Sequence, residues 1–103
     1  MTDFTVHLAR DHGTDLSSRQ RAADLRAFAL KQTEASGAVA FDFSDVRVVS
    51  ESFADELLAV LVEQYGEEWF REHIRVLNPS RTVRFSILEA IDLRCRHQTS
   101  PPG

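Results

Sequence analysis

The fold of this chain is decided by residues 38–58, which read AVAFDFSDVRVVSESFADELL. Residues 38–43 are almost uninterrupted apolar, which predicts a strand covered on both faces in a parallel sheet, because a half-exposed strand would alternate. Residues 44–51 then predict a loop, and a helix follows from Phe53 to Tyr65, where apolar residues recur at helical spacing. In open α/β sheets, groups that meet ligands and partners gather beyond the carboxyl ends of the strands, so this loop is the candidate functional segment.

The N-terminal third of the chain predicts a strand, a loop and a helix. Residues 4–8 alternate between apolar and polar side chains, which favours a strand at a sheet edge with one more exposed face. Residues 11–15 predict a loop. Ser17 or Ser18 can then cap a helix that runs to about Ala35.

The C-terminal third predicts a connector, a strand, a helix and a tail. Residues 67–72 connect to a strand at 73–77, and the sequence Asn78-Pro79-Ser80 favours a helix start because proline suits the first turn and Asn or Ser can cap it. Residues 94–103 have little to bury and predict a flexible tail after a domain at 1–93. The whole pattern predicts a small single-domain α/β fold with a mostly parallel, three- to four-stranded sheet and about three helices.

Composition limits the classes of function. A chain of 103 residues with 43% hydrophobic and 27% charged residues can bury one core and is typical of a globular domain. The formal charge of -4 argues against nucleic-acid binding, which usually needs a basic face. The start of the chain lacks a signal-peptide pattern and no apolar run approaches the length of a membrane span, so we expect a cytoplasmic protein that binds no membrane.

The residues give little support for catalysis, metal binding or a cofactor. Cys95 is the single cysteine, and the four histidines do not join it in a recognisable zinc spacing. No Gly-x-Ser-x-Gly elbow or Gly-rich phosphate loop is present, and the histidines are isolated. We therefore predict no catalytic residues, no metal, no cofactor and no enzymatic activity.

Two polar residues next to the buried strand have clear structural interpretations. Ser52 precedes Phe53 and two acidic residues, so its hydroxyl can cap the helix while Asp55 and Glu56 favourably face the positive end of the helix dipole. Asp42 interrupts an apolar strand, which predicts a structural anchor that accepts backbone N–H bonds near the strand end.

The same segment resembles a known family. The sequence Asp42-Phe43-Ser44, followed by Val46, Val49 and the run at 52–57, is similar to the bacterial STAS-like domain family of unassigned function, the DUF4325 type. That family is a relative of the anti-sigma factor antagonists, whose strand, loop and helix read Asp-apolar-Ser, a short spacer and then Asp-Ser-Ser-Gly. On this pattern Ser52 matches the serine that a partner kinase phosphorylates, while Ser50, Glu51 and Phe53 stand where the antagonists have Asp, Ser and Gly.

The resemblance implies a STAS-like fold and a non-enzymatic role in protein interaction and signalling. The phosphorylation candidates are Ser52 and Ser50, and Asn78 joins Asp42 as a structural anchor. The implied partner is a histidine-kinase-like ATPase acting as a serine kinase, or an anti-sigma factor. The residues expected to meet that partner are Ser44, Asp45, Ser50, Glu51, Ser52, Asp55 and Glu56. The alternatives are a small-ligand or nucleotide-sensing module that uses the same crevice at the strand ends and, in last place, a metal-free hydrolase.

Two further groups of residues have more than one interpretation. Basic residues are concentrated in the first third of the chain, either as a solvated face or as a surface for an acidic partner or a phosphate. They are Arg10, Arg19, Arg21 and Arg26. Of the adjacent aromatic residues Trp69 and Phe70, we expect Phe70 in the core, whereas Trp69 fits either a core edge or an interface.

Overall fold

The computed structural model of the protein describes residues 4–98. These residues form the strands β1 (Phe4–His7), β2 (Asp15–Leu16), β3 (Val39–Asp42), β4 (Val48–Val49) and β5 (Ile74–Leu77). They also form the helices α1 (Leu8–His12), α2 (Arg19–Ser36), α3 (Glu51–Ala54), α4 (Val60–Tyr65), α5 (Glu67–His73) and α6 (Arg81–Gln98). A π-helical segment (Asp55–Ala59) joins α3 directly to α4. The predicted small α/β fold with a parallel sheet is thereby confirmed.

The main sheet has the order β1-β3-β5, and both strand pairs are parallel. All three residues of β3 at 39–41 are buried, which explains the uninterrupted apolar run and confirms that this strand is covered on both faces. β1 lies at an edge, in agreement with its alternating sequence. The register aligns His7 with Asp42 and Asp42 with Leu77, so the carboxyl ends of the three strands lie at one level.

One hydrophobic core joins the sheet to the helices. Its largest fully buried side chains include Phe41 and Phe43 at the end of β3, and Phe53 at the helix that follows. The π-helical segment is part of this core through Leu57 and Leu58, and it contacts both α2 and α6. The helical run at 51–65 is therefore held from two sides, which fixes the position of its first turn.

The predicted loop at 11–15 is wrong at both ends and holds for Gly13 and Thr14. Helix α1 occupies its first part, and β2 pairs in parallel with β4 inside the segment that was expected to be a loop after β3. Leu16 and Val49 lie opposite each other in this pair, and burial of both side chains stabilises the two strands. Each strand has only two residues, which is too short to show a periodic sequence pattern.

The predicted connector at 67–72 is also wrong, because it lies in helix α5. Gly66 separates α5 from α4 with a φ of 93°, a left-handed conformation that favours glycine. Phe70 packs against the core as expected. Trp69 packs there as well, and its ring stacks on Tyr65 with a centroid distance of 4.6 Å.

The C-terminal helix extends further than the sequence predicted. Helix α6 continues to Gln98, so the expected tail from residue 94 is wrong for 94–98, whereas 99–103 lie outside the described residues. The helix continues because Arg94 is bound by two carboxylates from the helical run at 51–65. Within residues 4–98, none of the helices is both long and apolar enough to span a membrane.

Candidate functional site

Asp42 ties together the carboxyl ends of the three main strands. Its Oδ1 accepts hydrogen bonds from the backbone N–H of Ser44 at 2.9 Å, from the Ser44 hydroxyl at 2.7 Å and from Asn78 Nδ2 at 3.2 Å. Its Oδ2 lies 3.3 Å from Nδ1 of His7. Each partner belongs to the end of a different strand or to the loop after β3, because the register brings these ends to one level.

This arrangement keeps the Asp42 carboxylate ionised. The hydrogen bonds from Ser44, with a smaller contribution from Asn78, lower the pKa of Asp42 from 3.8 to about 2. A carboxylate with such a pKa and with four polar neighbours is a poor general base near neutral pH. The hydrogen bond between Asn78 and Asp42 joins the ends of β5 and β3, and Asn78 has a left-handed backbone (φ 53°) in this position.

The loop after β3 divides its side chains between core and solvent. Val46 and Val49 are buried. Val48 is 47% exposed, and the neighbouring Arg47 is exposed as well. The loop is also tied to β2, since the backbone N–H of Ser50 donates to the carbonyl of Leu16 at 2.8 Å. Contacts with the core and with β2 therefore fix the loop, and its outer face carries both polar and apolar side chains.

Ser50, rather than Ser52, caps the helix that follows the loop. Ser50 has an extended backbone, and its Oγ accepts a hydrogen bond from the N–H of Phe53 at 3.1 Å. The prediction that Ser52 provides the cap is therefore wrong. Ser52 lies inside the first turn, where its Oγ is 3.2 Å from that of Ser50.

Ion pairs surround the first turns of this helical run. Arg94 of α6 forms a bidentate pair with Asp55, with Nε to Oδ1 at 2.6 Å and Nη2 to Oδ2 at 2.7 Å, and its Nη1 lies 2.9 Å from Oε1 of Glu63. From α2, Arg19 Nη1 lies 2.7 Å from Glu56 Oε1 and 3.4 Å from Asp55 Oδ2. These contacts bind α2 and α6 to the same two turns.

The remaining arginine of this cluster completes the binding of Glu56. Arg26 Nη1 lies 2.8 Å from Glu56 Oε2 and also donates to the backbone carbonyl of Glu56. Arg94 above all lowers the pKa of Asp55, and Arg26 above all lowers the pKa of Glu56, so both carboxylates are ionised. The same hydrogen bond to Asp55 is the main cause that raises the pKa of Arg94.

These contacts change the interpretation of two predicted groups. Asp55 and Glu56 were expected to meet a partner, but they are mostly shielded and occupied by arginines of the same chain. On sequence grounds the basic residues form either a solvated face or a surface for an acidic partner or a phosphate, but Arg19 and Arg26 reach these acids of the same chain, whereas Arg21 contacts His12 Nδ1 at 3.3 Å.

An open cleft of about 410 Å³ lies beside Ser52. It is lined by Arg19, Glu51, Ser52, Asp55, Glu63, Ala90, Leu93 and Arg94. Ser44 and Asp45 line a different and smaller cleft of about 120 Å³, together with His7, Ala9, Arg10 and Asp42. The predicted site residues are therefore not brought into one cleft: Asp42, Ser44 and Asp45 line the strand-end cleft, Glu51, Ser52 and Asp55 line the cleft at Ser52, and Ser50, Glu56 and Asn78 line neither.

Sequence reasoning missed Arg94 and Glu63 as members of the Ser52 cleft. Arg94 continues the spacing of Val83, Ile87 and Ala90, the buried residues of α6, so the helical period extended past residue 93 carried a signal for it. Glu63 follows no such signal, because its partner lies 31 residues away in the sequence.

Metal binding and thiol chemistry find no further support in this arrangement. Within the part of the chain that the structure describes, no cluster of three or more His, Cys, Asp or Glu side chains has the geometry to hold a metal ion. Cys95 is half-buried, and burial raises the pKa of its thiol.

Comparison with known proteins identifies a family for the central part of the chain. The model of a family described as a STAS-like domain of unknown function (DUF4325) matches residues 22–84, which is more than half of the chain. The matched range contains β3, the loop, the helical run at 51–65 and β5, and the resemblance stated from the sequence is confirmed. No curated protein and no solved structure matches the chain.

Proposed function

This chain belongs to the STAS-like domain family, and from that membership we propose that it is a non-enzymatic signalling domain of the cytoplasm that docks a protein partner. The docking surface is the loop at 44–51 with the first turn of the helix after it. Phosphorylation of Ser52 controls the docking. The partner is a histidine-kinase-like ATPase that acts as a serine kinase, or an anti-sigma factor, as the relationship to anti-sigma factor antagonists implies.

The observation that supports this proposal most directly is that Ser50, and not Ser52, caps the helix. Because Ser50 accepts the N–H of Phe53, the helix start does not depend on the Ser52 hydroxyl. Ser52 is half-buried and lines an open cleft, and the hydrogen bond found for its hydroxyl within the described residues is the one shared with the Ser50 hydroxyl. A kinase can modify this hydroxyl without removing the helix cap.

The outer face of the loop supplies the rest of the docking surface. Asp45 and Glu51 are exposed and stand three residues before and after Val48 in the sequence, and Val48 is an exposed apolar side chain on a loop whose other valines are buried. An apolar side chain with charged neighbours is the usual composition of a small protein interface, where the charges favour one partner over others. Asp55 and Glu56 form ion pairs with arginines of α2 and α6, which fix the helical turns that follow this surface.

The phosphoryl transfer itself needs nothing from this chain except the serine. The Ser52 Oγ forms a bond to the γ-phosphorus of ATP, the bond from that phosphorus to ADP breaks, and the hydroxyl proton passes to a base of the kinase. The product carries a charge of about -1.5 to -2 at neutral pH. Because Glu51 is exposed in the same turn, the phosphorylated surface repels a partner that tolerates the single carboxylate.

The test combines phosphate mapping with binding. The protein is recovered from its native cell, its partner is identified by pull-down, and the purified pair is incubated with ATP before peptide mapping. We expect phosphate on Ser52 and an affinity for one partner at least ten times weaker than that of the unmodified protein. The matched variants are Ser52→Asn, which should bind but accept no phosphate, and Ser50→Asn, which keeps a capping side chain and should still be phosphorylated at Ser52. Absence of phosphate on Ser52, with equal affinity for the parent, the Ser52→Asn variant and a charged Ser52→Asp variant, would contradict the proposal.

A small-ligand sensor is the weaker candidate. The cleft at the strand ends has a volume of about 120 Å³, whereas pockets for small molecules usually have about 300–1,000 Å³. The Asp42 side chain in this cleft is already occupied by hydrogen bonds from Ser44 and Asn78. These features favour an anchor of the loop over a ligand site.

A further inference from the structure

Two arginines from different helices line the cleft into which Ser52 opens. Arg19 comes from α2 and Arg94 from α6, and both share the carboxylate of Asp55. Asp55 is three residues after Ser52, so the two side chains lie on the same side of the helical run. The charged residues that line this cleft are Arg19, Arg94, Glu51, Asp55 and Glu63.

The arginines differ in how much of their hydrogen-bonding capacity is used. Arg94 donates through Nε, Nη1 and Nη2 to Asp55 and Glu63. Arg19 donates through Nη1 alone, its contact with Asp55 is long at 3.4 Å, and its side chain is 53% exposed. A guanidinium has five N–H donors, so Arg19 has unused donors next to the cleft and can turn towards a new anion at little cost.

We infer that Arg19 and Arg94 receive the phosphate of phosphorylated Ser52, and that Asp55 gives up its ion pairs with both arginines in exchange. This inference rests on the proposed phosphorylation of Ser52. It goes further because the phosphate acts inside the domain as well as on its surface, by replacing one anion with another between α2 and α6.

The chemistry of the two anions favours the exchange. A phosphate dianion offers three strong acceptor oxygens and about twice the charge of a carboxylate, and the planar fork of arginine binds it in a bidentate manner. Two positive charges in the cleft face three carboxylates before phosphorylation, so the arginines cannot satisfy the phosphate and Asp55 fully at the same time. Asp55 loses because it is the weaker anion and lies next to the phosphate, whereas Glu63 keeps its separate contact with Nη1 of Arg94.

The exchange has a consequence for the fold around the site. Asp55 begins the π-helical segment, and its ion pairs are contacts that hold α2 and α6 against this segment. When the phosphate takes both arginines, their contacts move from Asp55 to the first turn, next to the docking loop, while Arg26 still binds Glu56 and Arg94 still binds Glu63. Phosphorylation thereby changes the charge of the docking surface and adds a contact between its first turn and the two long helices.

The experiment uses full-length protein with phosphoserine placed at position 52 during translation, so that no native kinase is needed. The second pKa of the phosphate is followed by ³¹P NMR during a pH titration, with the Nε–H signals of the arginines recorded in parallel. A phosphoserine ordinarily has a second pKa near 6. Arginines that bind the dianion should lower the pKa by about one unit, whereas unrelieved repulsion by Glu51 and Asp55 would raise it.

Three variants separate the arginines from their surroundings. Arg19→Ala and Arg94→Lys should each raise the phosphate pKa relative to the phosphorylated parent, because Lys keeps the charge of Arg94 but loses the bidentate geometry. Arg21→Ala is the matched control, since Arg21 lies on the same helix as Arg19 but contacts His12 beside another cleft, and it should leave the pKa unchanged. The Arg94 Nε–H signal should shift on phosphorylation if its acceptor changes from Asp55 to phosphate.

A phosphate pKa at or above 6, with the same value in the Arg19→Ala and Arg94→Lys variants, would overturn the exchange. That result leaves the proposed function standing if phosphorylation still weakens partner binding. Conversely, a lowered pKa that depends on both arginines supports the exchange even where the partner kinase proves to modify a different residue, which would refute the proposed function alone. The failures of the two proposals are thus distinguishable.

Discussion

Replacement of the two serines at the helix start, one at a time, should give unequal losses of stability. Ser50→Ala removes the acceptor for the N–H of Phe53, a bond of 3.1 Å at the half-buried start of the helical run. Loss of such a cap costs about 1 kcal/mol, within a range of roughly 0.5–2 kcal/mol. Ser52→Ala removes only the shared hydrogen bond between the two hydroxyls, at 3.2 Å.

For Ser52→Ala two effects oppose each other. The lost hydrogen bond costs about 0.5–1.5 kcal/mol. Alanine at a helical position regains up to about 0.5 kcal/mol through its higher helix propensity. The net free energy of unfolding should therefore fall by about 0–1 kcal/mol, with a central value of about 0.5 kcal/mol that is smaller than the loss of about 1 kcal/mol in Ser50→Ala.

Urea denaturation followed by circular dichroism measures the difference. With an m-value of about 2 kcal/mol per molar urea, a loss of 1 kcal/mol lowers the midpoint by about 0.5 M. Ser50→Asn and Ser50→Asp are the controls, because both side chains cap about as well as serine and should restore most of the loss. If Ser52→Ala lowered the midpoint as much as Ser50→Ala, or if Ser50→Asn failed to restore it, the assignment of the cap to Ser50 would be refuted.

Three further outcomes follow from the site. Arg94→Met should lower the free energy of unfolding by about 1–2 kcal/mol, because it leaves partly shielded carboxylates unpaired. The matched Arg96→Met variant removes an exposed ion pair and should lower the free energy of unfolding by less than about 0.5 kcal/mol. Asp42→Asn should cost about 1–2 kcal/mol at pH 7, by urea denaturation. Since the folded pKa of Asp42 lies below its ordinary 3.8, the ionised side chain stabilises the fold above pH 4, and the difference between parent and variant should vanish as the pH falls through about 2. Glu51→Arg, at an exposed position, should change stability by less than about 0.5 kcal/mol yet weaken the native partner complex in a titration, and an unchanged affinity would exclude this turn from the interface.

The centre of the fold was readable from the sequence because burial on both faces leaves a simple pattern. Residues 39–41 of β3 are apolar without alternation, and only a strand with neighbours on both sides and cover on both faces needs such a run. Asp42 was equally readable, since one polar residue at the end of an apolar run must find partners in a crowded place.

The position of the cap was not readable, because two serines compete for it. Ser52 precedes Asp55 by three residues, which is the spacing of a capping box and favours Ser52 on sequence grounds. In the fold Asp55 is bound by Arg94, a residue 39 positions away, and cannot reach back to the helix start. The extended backbone of Ser50, fixed by its N–H bond to Leu16, then selects the earlier serine.

The same long-range contact explains why the last helix continues past residue 93. Residues 94–98 contain hardly any apolar side chains, so hydrophobic patterning predicts that the helix ends before them. Arg94 holds the helix by ion pairs instead, and neither of its partners is close to it in sequence. The short strands β2 and β4 were missed for a related reason, because two residues cannot display a period.

Salt distinguishes the two effects that a phosphate on Ser52 would have. Repulsion by Glu51 acts through solvent, because this side chain is exposed, and it is screened beyond about 8 Å at physiological ionic strength. The arginine contacts act where Asp55 is only 18% exposed and Arg94 29% exposed, so salt screens them much less. Raising the ionic strength should therefore weaken the surface repulsion of a partner while the capture of the phosphate by Arg94 persists. A phosphate pKa that stays low in high salt, together with a partner affinity that recovers, would assign the internal exchange to the arginines and the loss of docking to the exposed acid.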